Sequence, residues 1–149
     1  MSGPRSPREV AELVRAMVAG EHGVVFADLF APDGVLAYPF APPGMPGELV
    51  GQEAIRGYFA ALGAARELFD MEGDVEAVTW ETDDPEVVVT QITHQGRSRV
   101  TGAPYRLTAL GVIQVRDGKI VRYDDYMNPI ALAQMLGRTG DLAAALTAA

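Results

Sequence analysis

Apolar residues recur at two spacings along this chain, and the change of spacing divides it in two. In the first half they fall at helical intervals. Ser6-Pro7-Arg8-Glu9 supplies a serine cap, a proline at the first helical position and a glutamate three residues after the cap. Val10, Leu13, Val14, Met17 and Val18 then share one face of a helix ending near Gly20. A second short helix is expected from about Glu21 to Phe30, with Pro32-Asp33-Gly34 as the turn after it. Val35 to Phe40 reads as a strand, and Pro42-Pro43-Gly44-Met45-Pro46-Gly47 as a loop or lid. Gly51 to about Arg66 is a further helix, with Ile55, Tyr58, Phe59 and Leu62 at helical spacing. Residues 1–5 read as a loose tail.

From residue 69 onward the alternation is that of strands. Segments 69–80, 86–95 and 103–115 are strand-like, separated by Asp83-Asp84-Pro85 and by the Gly96–Gly102 region. A last strand runs through Lys119-Ile120-Val121-Arg122-Tyr123-Asp124-Asp125-Tyr126-Met127 to Pro129, and short helices are expected over 130–136 and 141–148. Helices followed by a run of antiparallel strands is the α+β pattern. It predicts one domain over residues 1–149, with helices packed on a curved antiparallel sheet.

Asp117-Gly118 between two apolar-rich runs is a hairpin signal. Neighbouring strand residues point to opposite faces, so Asp124 and Asp125 cannot share a role. A two-residue loop pairs Arg116 with Lys119 and mixes Arg106 and Asp125 with apolar positions. A three-residue loop, Arg116-Asp117-Gly118, pairs Val115 with Lys119. One face then holds Tyr105, Leu107, Ala109, Gly111, Ile113, Val121, Tyr123, Asp125 and Met127. The other holds Arg106, Thr108, Leu110, Val112, Gln114, Ile120, Arg122, Asp124 and Tyr126. The second register separates charge from apolar surface better and is the one expected. Asp125 then faces Ala109, diagonal to Gly111, while Asp124 joins Arg106 and Arg122 as a surface ion.

An aspartate on an apolar concave face has a raised pKa, which suits a general acid or a base poised nearer neutrality. Tyr105 and Tyr123 on the same face can orient it or donate to a developing oxyanion. His94, at a strand end, is a second acid/base candidate. Tyr38, Tyr58, Phe59, Trp80, Ala109, Gly111 and Met127 are candidate ligand contacts. The plain alternative is a buried aspartate held by tyrosines for structure alone, with Tyr58, Phe59 and Trp80 as packing.

Composition narrows the field. The net charge of −8 and the scatter of Lys and Arg (Arg97, Arg99 and Arg106 come nearest to a cluster) argue against nucleic acid and anionic membranes. With no cysteine there is no disulfide framework, thiol nucleophile or cysteine-ligated metal. No histidines or carboxylates have metal-ligand spacing, no glycine loop reads as a phosphate cradle, and no cofactor is expected. No segment has signal-peptide or transmembrane character, so a cytoplasmic location is the default.

Three segments carry a resemblance over nearly the whole chain: Phe26-Ala27-Asp28-Leu29-Phe30-Ala31-Pro32-Asp33-Gly34-Val35, Gly51-Gln52-Glu53-Ala54-Ile55-Arg56-Gly57-Tyr58-Phe59, and Asp117-Gly118-Lys119-Ile120-Val121. In this order they resemble the cone-shaped nuclear-transport-factor-2-like superfamily. It contains ketosteroid isomerases, SnoaL-like polyketide cyclases, limonene-type epoxide hydrolases and non-catalytic binders. Tyr105, Gly118-Lys119-Ile120 and Asp125-Tyr126-Met127-Asn128-Pro129 look most like the phenazine-biosynthesis A/B proteins. There a glutamate precedes aromatic-Met-Asn-Pro and acts as a general acid. Asp125 stands in that position one methylene shorter, and Tyr105 matches a pocket tyrosine; the rest of that polar site is not evident, so the phenazine substrate is not carried over. The ketosteroid-isomerase base would fall near Tyr38, and its oxyanion acid near Ala109–Gly111, where neither residue type occurs. The Asp-Arg-Asp relay of limonene-type hydrolases could be imitated only by Asp125 with Arg106, which the expected register separates.

The resemblance implies a cone-shaped α+β barrel, homodimeric through its outer sheet face. It would be a cofactor-free isomerase or cyclase acting on an apolar carbonyl compound. A small-molecule-binding domain and an epoxide-opening enzyme are the alternatives.

Overall fold

The structure, a computed structural model, describes residues 3–148, except the side chains of residues 64–66. Helix α1 (Pro7–Ala19) begins as its sequence dictates. The Ser6 hydroxyl accepts from the Glu9 N–H at 3.2 Å, and Glu9 accepts from the Ser6 N–H at 3.1 Å. Gly20 ends the helix in the left-handed conformation, φ 73°. Val10, Ala11 and Val14 are buried against the sheet.

The expected helix over Glu21–Phe30 is reduced to one 3-10 turn, Phe26–Leu29. His22 and Gly23 both take positive φ, which breaks the helical run. Phe30, fully buried, opens strand β1 (Phe30–Ala37) beside Ile120. Pro32-Asp33-Gly34 is therefore not a turn between elements but an irregularity inside β1, where the register shifts. A Cβ on Gly34 would stand 2.8 Å from the Ile120 carbonyl oxygen, so the chain crosses there only as glycine. Tyr38 lies just past β1 and donates its N–H to the Gly47 carbonyl at 2.8 Å.

Strand β2 (Glu48–Val50) leads into helix α2 (Gln52–Ala61), shorter than expected because a 3-10 segment, Gly63–Leu68, follows it. The Gln52 amide donates to the carbonyls of Ala27 and Phe30, tying α2 to the start of β1. Segment 69–80 divides into β3 (Phe69–Met71) and β4 (Glu76–Glu81), with Gly73 at positive φ between them. Strands β5 (Val87–Ser98), β6 (Pro104–Arg116) and β7 (Lys119–Met127) form the long antiparallel centre, and helices α3 (Pro129–Met135) and α4 (Thr139–Thr147) close the chain.

The sheet runs β2-β1-β7-β6-β5-β3, with β4 also on β5. It is mixed rather than wholly antiparallel, because β1 pairs β7 in parallel. A Cβ on Gly96 would overlap the Asp70 carbonyl, so β3 can close on β5 only at a glycine. Ser98, buried, donates its hydroxyl to the Met135 carbonyl at 2.6 Å and anchors α3 to the sheet. No helix among the described residues is long and apolar enough to cross a membrane.

The hairpin corrects the expected register. Asp117 and Gly118 both take positive φ, 52° and 78°, and close a two-residue turn that pairs Arg116 with Lys119. Val115 then faces Ile120, and Val121 is an extra residue before Gln114 faces Arg122. The short turn would have flipped every later side chain; the one-residue bulge flips them back. Asp125 thus reaches the apolar face, but opposite Gly111 rather than Ala109. Ile120, expected outside, is fully buried, because it precedes the bulge. Met1 and Ser2 of the expected tail lie outside the described residues, while Pro4 and Arg5 rest over the turn, about 3 Å from where a Gly118 Cβ would stand.

Candidate functional site

Beyond the bulge, the inner face of the sheet is built row by row. Thr90, Gly111 and Asp125 form one row across β5, β6 and β7, and Ile92, Ala109 and Met127 the next. Leu36 stands beside Tyr123 in the parallel β1–β7 pair, so Tyr38, two residues on, comes beside Asp125. Helix α1 lies over these rows with Val14, Met17 and Val18, and α2 contributes Phe59. They enclose a cavity of about 220 Å³ that Asp125, Tyr123, Tyr38 and His94 also line.

Asp125 is partly open to this cavity, but its Oδ1 is buried and has no hydrogen-bond partner. Burial pushes its pKa from the ordinary 3.8 up to about 6, with no neighbouring charge to offset the lost hydration. Leaving a buried carboxylate oxygen unpaired costs on the order of 1–3 kcal/mol or more. Such an atom in a native cavity marks a place for a donor from outside the chain. Tyr38 and Tyr123 both have raised pKa values, from burial first and the Asp125 charge second. Both are therefore neutral phenols able to donate. The Tyr123 ring is fixed by edge contacts with Phe26 and by stacking on Phe30. It lies over Gly111, where a Cβ would come within 2.8 Å of its hydroxyl.

His94 lines the other end of the cavity. It faces Leu107, four residues along β5 from the row of Asp125 and two strands across. On a flat sheet that is roughly 17 Å between Cα atoms, from ~3.4 Å per residue and ~4.8 Å per strand. Asp125 and His94 therefore stand at different ends of the cavity. His94 Nδ1 shares a 3.0 Å hydrogen bond with the Tyr105 hydroxyl, and both rings pack on Phe69. The Tyr105 pKa is pushed up to about 12, by burial first and by Glu72 and Asp70 next.

The cavity thus brings together Asp125, Tyr123, His94, Tyr38, Phe59, Ala109 and Met127. It does not bring in the other four candidates. Tyr105 stands behind His94. Gly111 lies under the Tyr123 ring. Tyr58 turns outward toward the Pro42–Pro46 loop and α3, in edge contact with Phe59. Trp80 is half exposed on the outer face, because its row on β4 faces Val89, away from Thr79 and Thr90. Asp124 pairs with Arg122 at 2.9 Å on that outer face. The roof residues Val14, Met17 and Phe26 carry no chemical signal and were legible only as core positions. Asn128 lines the mouth while its Oδ1 caps α3, accepting from Ile130 and Ala131 N–H. Among the described residues no group of three or more His, Asp or Glu could hold a metal ion. The described geometry suits proton transfer in an apolar site: one carboxyl group poised near neutrality, with phenol donors beside it.

The model of the SnoaL-like domain matches residues 10–123. The uncharacterized protein YesE of Bacillus subtilis is 30% identical over 112 residues, covering 75% of this chain and 74% of that protein. An uncharacterized PhzA/B-like protein of Pseudomonas aeruginosa is 32% identical over 112 residues, covering 75% and 77%. A crystal structure from Bacillus subtilis, of a protein provisionally named an isomerase, superposes with a TM-score of 0.74 at 27% identity, covering 91% of this chain and 98% of that one.

Proposed function

The chain belongs to the SnoaL-like domain family, on the nuclear-transport-factor-2-like fold, and on that premise we propose that it is a cofactor-free isomerase or cyclase. Its substrate would be a small, apolar, carbonyl-containing molecule. The observation that carries this reading is the buried, unpartnered Oδ1 of Asp125 in an apolar cavity beside two phenols. The Asp125 carboxylate takes the proton from the carbon next to the substrate carbonyl. The electron pair left behind moves onto the carbonyl oxygen, where Tyr38 or Tyr123 donates a hydrogen bond to the developing enolate. The protonated Asp125 then returns the proton, at another carbon in an isomerisation or, in a ring closure, to the alkoxide formed when the enolate carbon bonds to a second carbonyl carbon of the same substrate. His94, held by Tyr105, lines the other end of the cavity.

The test is proton exchange. Ketones incubated with the protein in D2O are followed by NMR for deuterium uptake next to the carbonyl. Wild type is expected to catalyse it and Asp125→Asn to lose it with the fold intact. Exchange that survives in Asp125→Asn refutes the assignment. Saturable binding without exchange in wild type favours the second reading, a small-molecule-binding domain in which Asp125 recognises a donor group. An epoxide-opening relay has less support, since Arg106 lies on the outer face bonded toward Gln95.

The same proposal includes a homodimer through the outer sheet face. Val78, Trp80 and Leu110 are exposed there in adjoining rows with Val89 and Val112, an apolar surface that a second copy would cover. The proposal also includes a small-molecule partner and a cytoplasmic location; the net charge of −8 disfavours nucleic acid and an anionic membrane as partners.

A further inference from the structure

The inner cavity holds little by itself. At ~30 Å³ per water-sized group, about 220 Å³ accommodates only about seven such groups. A second space of about 410 Å³ lies between the end of α1 and the end of α2, and Met17, Phe26 and Phe59 line both. Its remaining walls are Val24, Leu62, Phe69 and the backbone at Gly20, Gly23 and Gly63. No charged side chain lines it among the described residues. Leu62 in its wall is exposed, as are Val25 and Leu68, which adjoin the lining residues Val24 and Phe69 in sequence. Gly23 and Gly63 in its wall face open space: a Cβ at either would meet nothing within 4 Å.

Resting on the acid–base reading of Asp125, we propose that the substrate is an amphipathic molecule. Its single polar, carbonyl-bearing head sits at Asp125, and its uncharged hydrocarbon body passes Met17, Phe26 and Phe59 into the groove between α1 and α2. Three features argue for this occupant over a compact one. The groove adjoins the cavity across three side chains, Met17, Phe26 and Phe59, that line both. Among the described residues its lining carries no charge to fix a polar group. The ionisable groups that line the combined space among the described residues, Asp125, His94, Tyr38 and Tyr123, all belong to the inner chamber. A Met17 side chain at the junction suits such a passage, being unbranched and adaptable. The groove then sets chain-length specificity, and the inner chamber sets chemistry.

A series of 2-alkanones from 2-butanone to 2-tridecanone, titrated calorimetrically, tests this. Each added methylene that enters an apolar wall contributes about 0.8 kcal/mol, which is roughly three- to fourfold in affinity. Affinity is expected to keep rising beyond the length that fills the inner chamber, about seven carbons. A plateau at that length overturns the proposal, as does the lack of saturable binding at any length. Gly63→Phe, at a position whose Cβ direction is open, should weaken 2-undecanone at least tenfold while leaving 2-pentanone within twofold. Leu62→Asp, on the exposed rim, should show the same selectivity without disturbing the core. Equal effects on both ketones, or none, overturn the proposal. Failure of the acid–base reading looks different: Asp125→Asn would leave proton exchange intact while the dependence on chain length persisted.

Discussion

Replacing Asp125 by asparagine keeps the shape of the side chain and removes its ionisation, so the substitution isolates what burying a carboxylate costs this fold. The folded carboxyl titrates near 6, against 3.8 when unburied. A carboxyl whose folded pKa is raised stabilises the native state below the unfolded pKa and loses that contribution as pH rises through the folded one. Between pH 4 and 6 the unfolded chain has released this proton and the folded chain still holds it, so stability falls with pH. At ~1.36 kcal/mol per pKa unit the loss is complete above about pH 6.5 and amounts to about 3 kcal/mol. The asparagine of the variant has no proton to lose. The variant should match wild type near pH 4, within the ~1 kcal/mol that an amide-for-acid exchange carries. By pH 8 it should be more stable by about 3 kcal/mol, or roughly 6–12 °C in Tm for a chain of this size. Urea melts of both proteins at pH 4, 5, 6, 7 and 8 measure the difference. A difference that stays flat with pH refutes the reasoning. So does one that grows in favour of wild type, because a stabilising carboxylate would be one held by partners inside the fold. Gained stability with lost turnover is the signature of a residue kept for chemistry.

Four further outcomes follow from the same geometry. If Asp125 acts first as a base, kcat/KM for proton exchange falls as pH drops through about 6 and is level above it; a profile that falls above pH 6 instead would make it an acid in the first step. Gly111→Ala places a Cβ against the Tyr123 hydroxyl and should cost about 1–3 kcal/mol in a thermal melt, with a larger loss of activity than of stability. Tyr105→Phe removes the hydrogen bond to His94, and should cost about 1 kcal/mol, shift the His94 ring resonances in NMR and lower activity less than Asp125→Asn does. Trp80→Glu, on the outer sheet face, should shift sedimentation from dimer toward monomer without affecting ligand binding; an unchanged sedimentation coefficient removes that face as the interface.

What could be read without coordinates follows from local physics. The capping box at Ser6–Glu9 and the left-handed Gly20 frame α1, because these signals act over a few residues and compete with nothing distant. Alternation on the last strand made Asp124 and Asp125 unequal for the same reason. Local signals misled where a distant partner prevailed. The stretch after Gly20 has helical spacing, yet Phe30 belongs to a strand, because pairing with Ile120 buries it completely. Trp80 and Tyr58 looked like ligand contacts by residue type, but the Trp80 row on β4 faces away from the cavity and Tyr58 points from α2 toward the Pro42–Pro46 loop.

The sequence alone determined the α+β class, the long strands of the second half and the pairing of Asp125 with Tyr123 on one face, since period-2 alternation needs only the chain itself. Tertiary structure decided the rest. It chose a two-residue turn with a bulge at Val121 over a three-residue loop. The two give the same faces for Asp125, but only the bulged strand buries Ile120 beside Val115. It also set Gly111 beneath Tyr123, placed Tyr38 beside Asp125 through the parallel β1–β7 pair, and laid α1 over the site as a roof. Whether a buried oxygen finds a donor depends on every element that closes around it, and no local pattern carries that information.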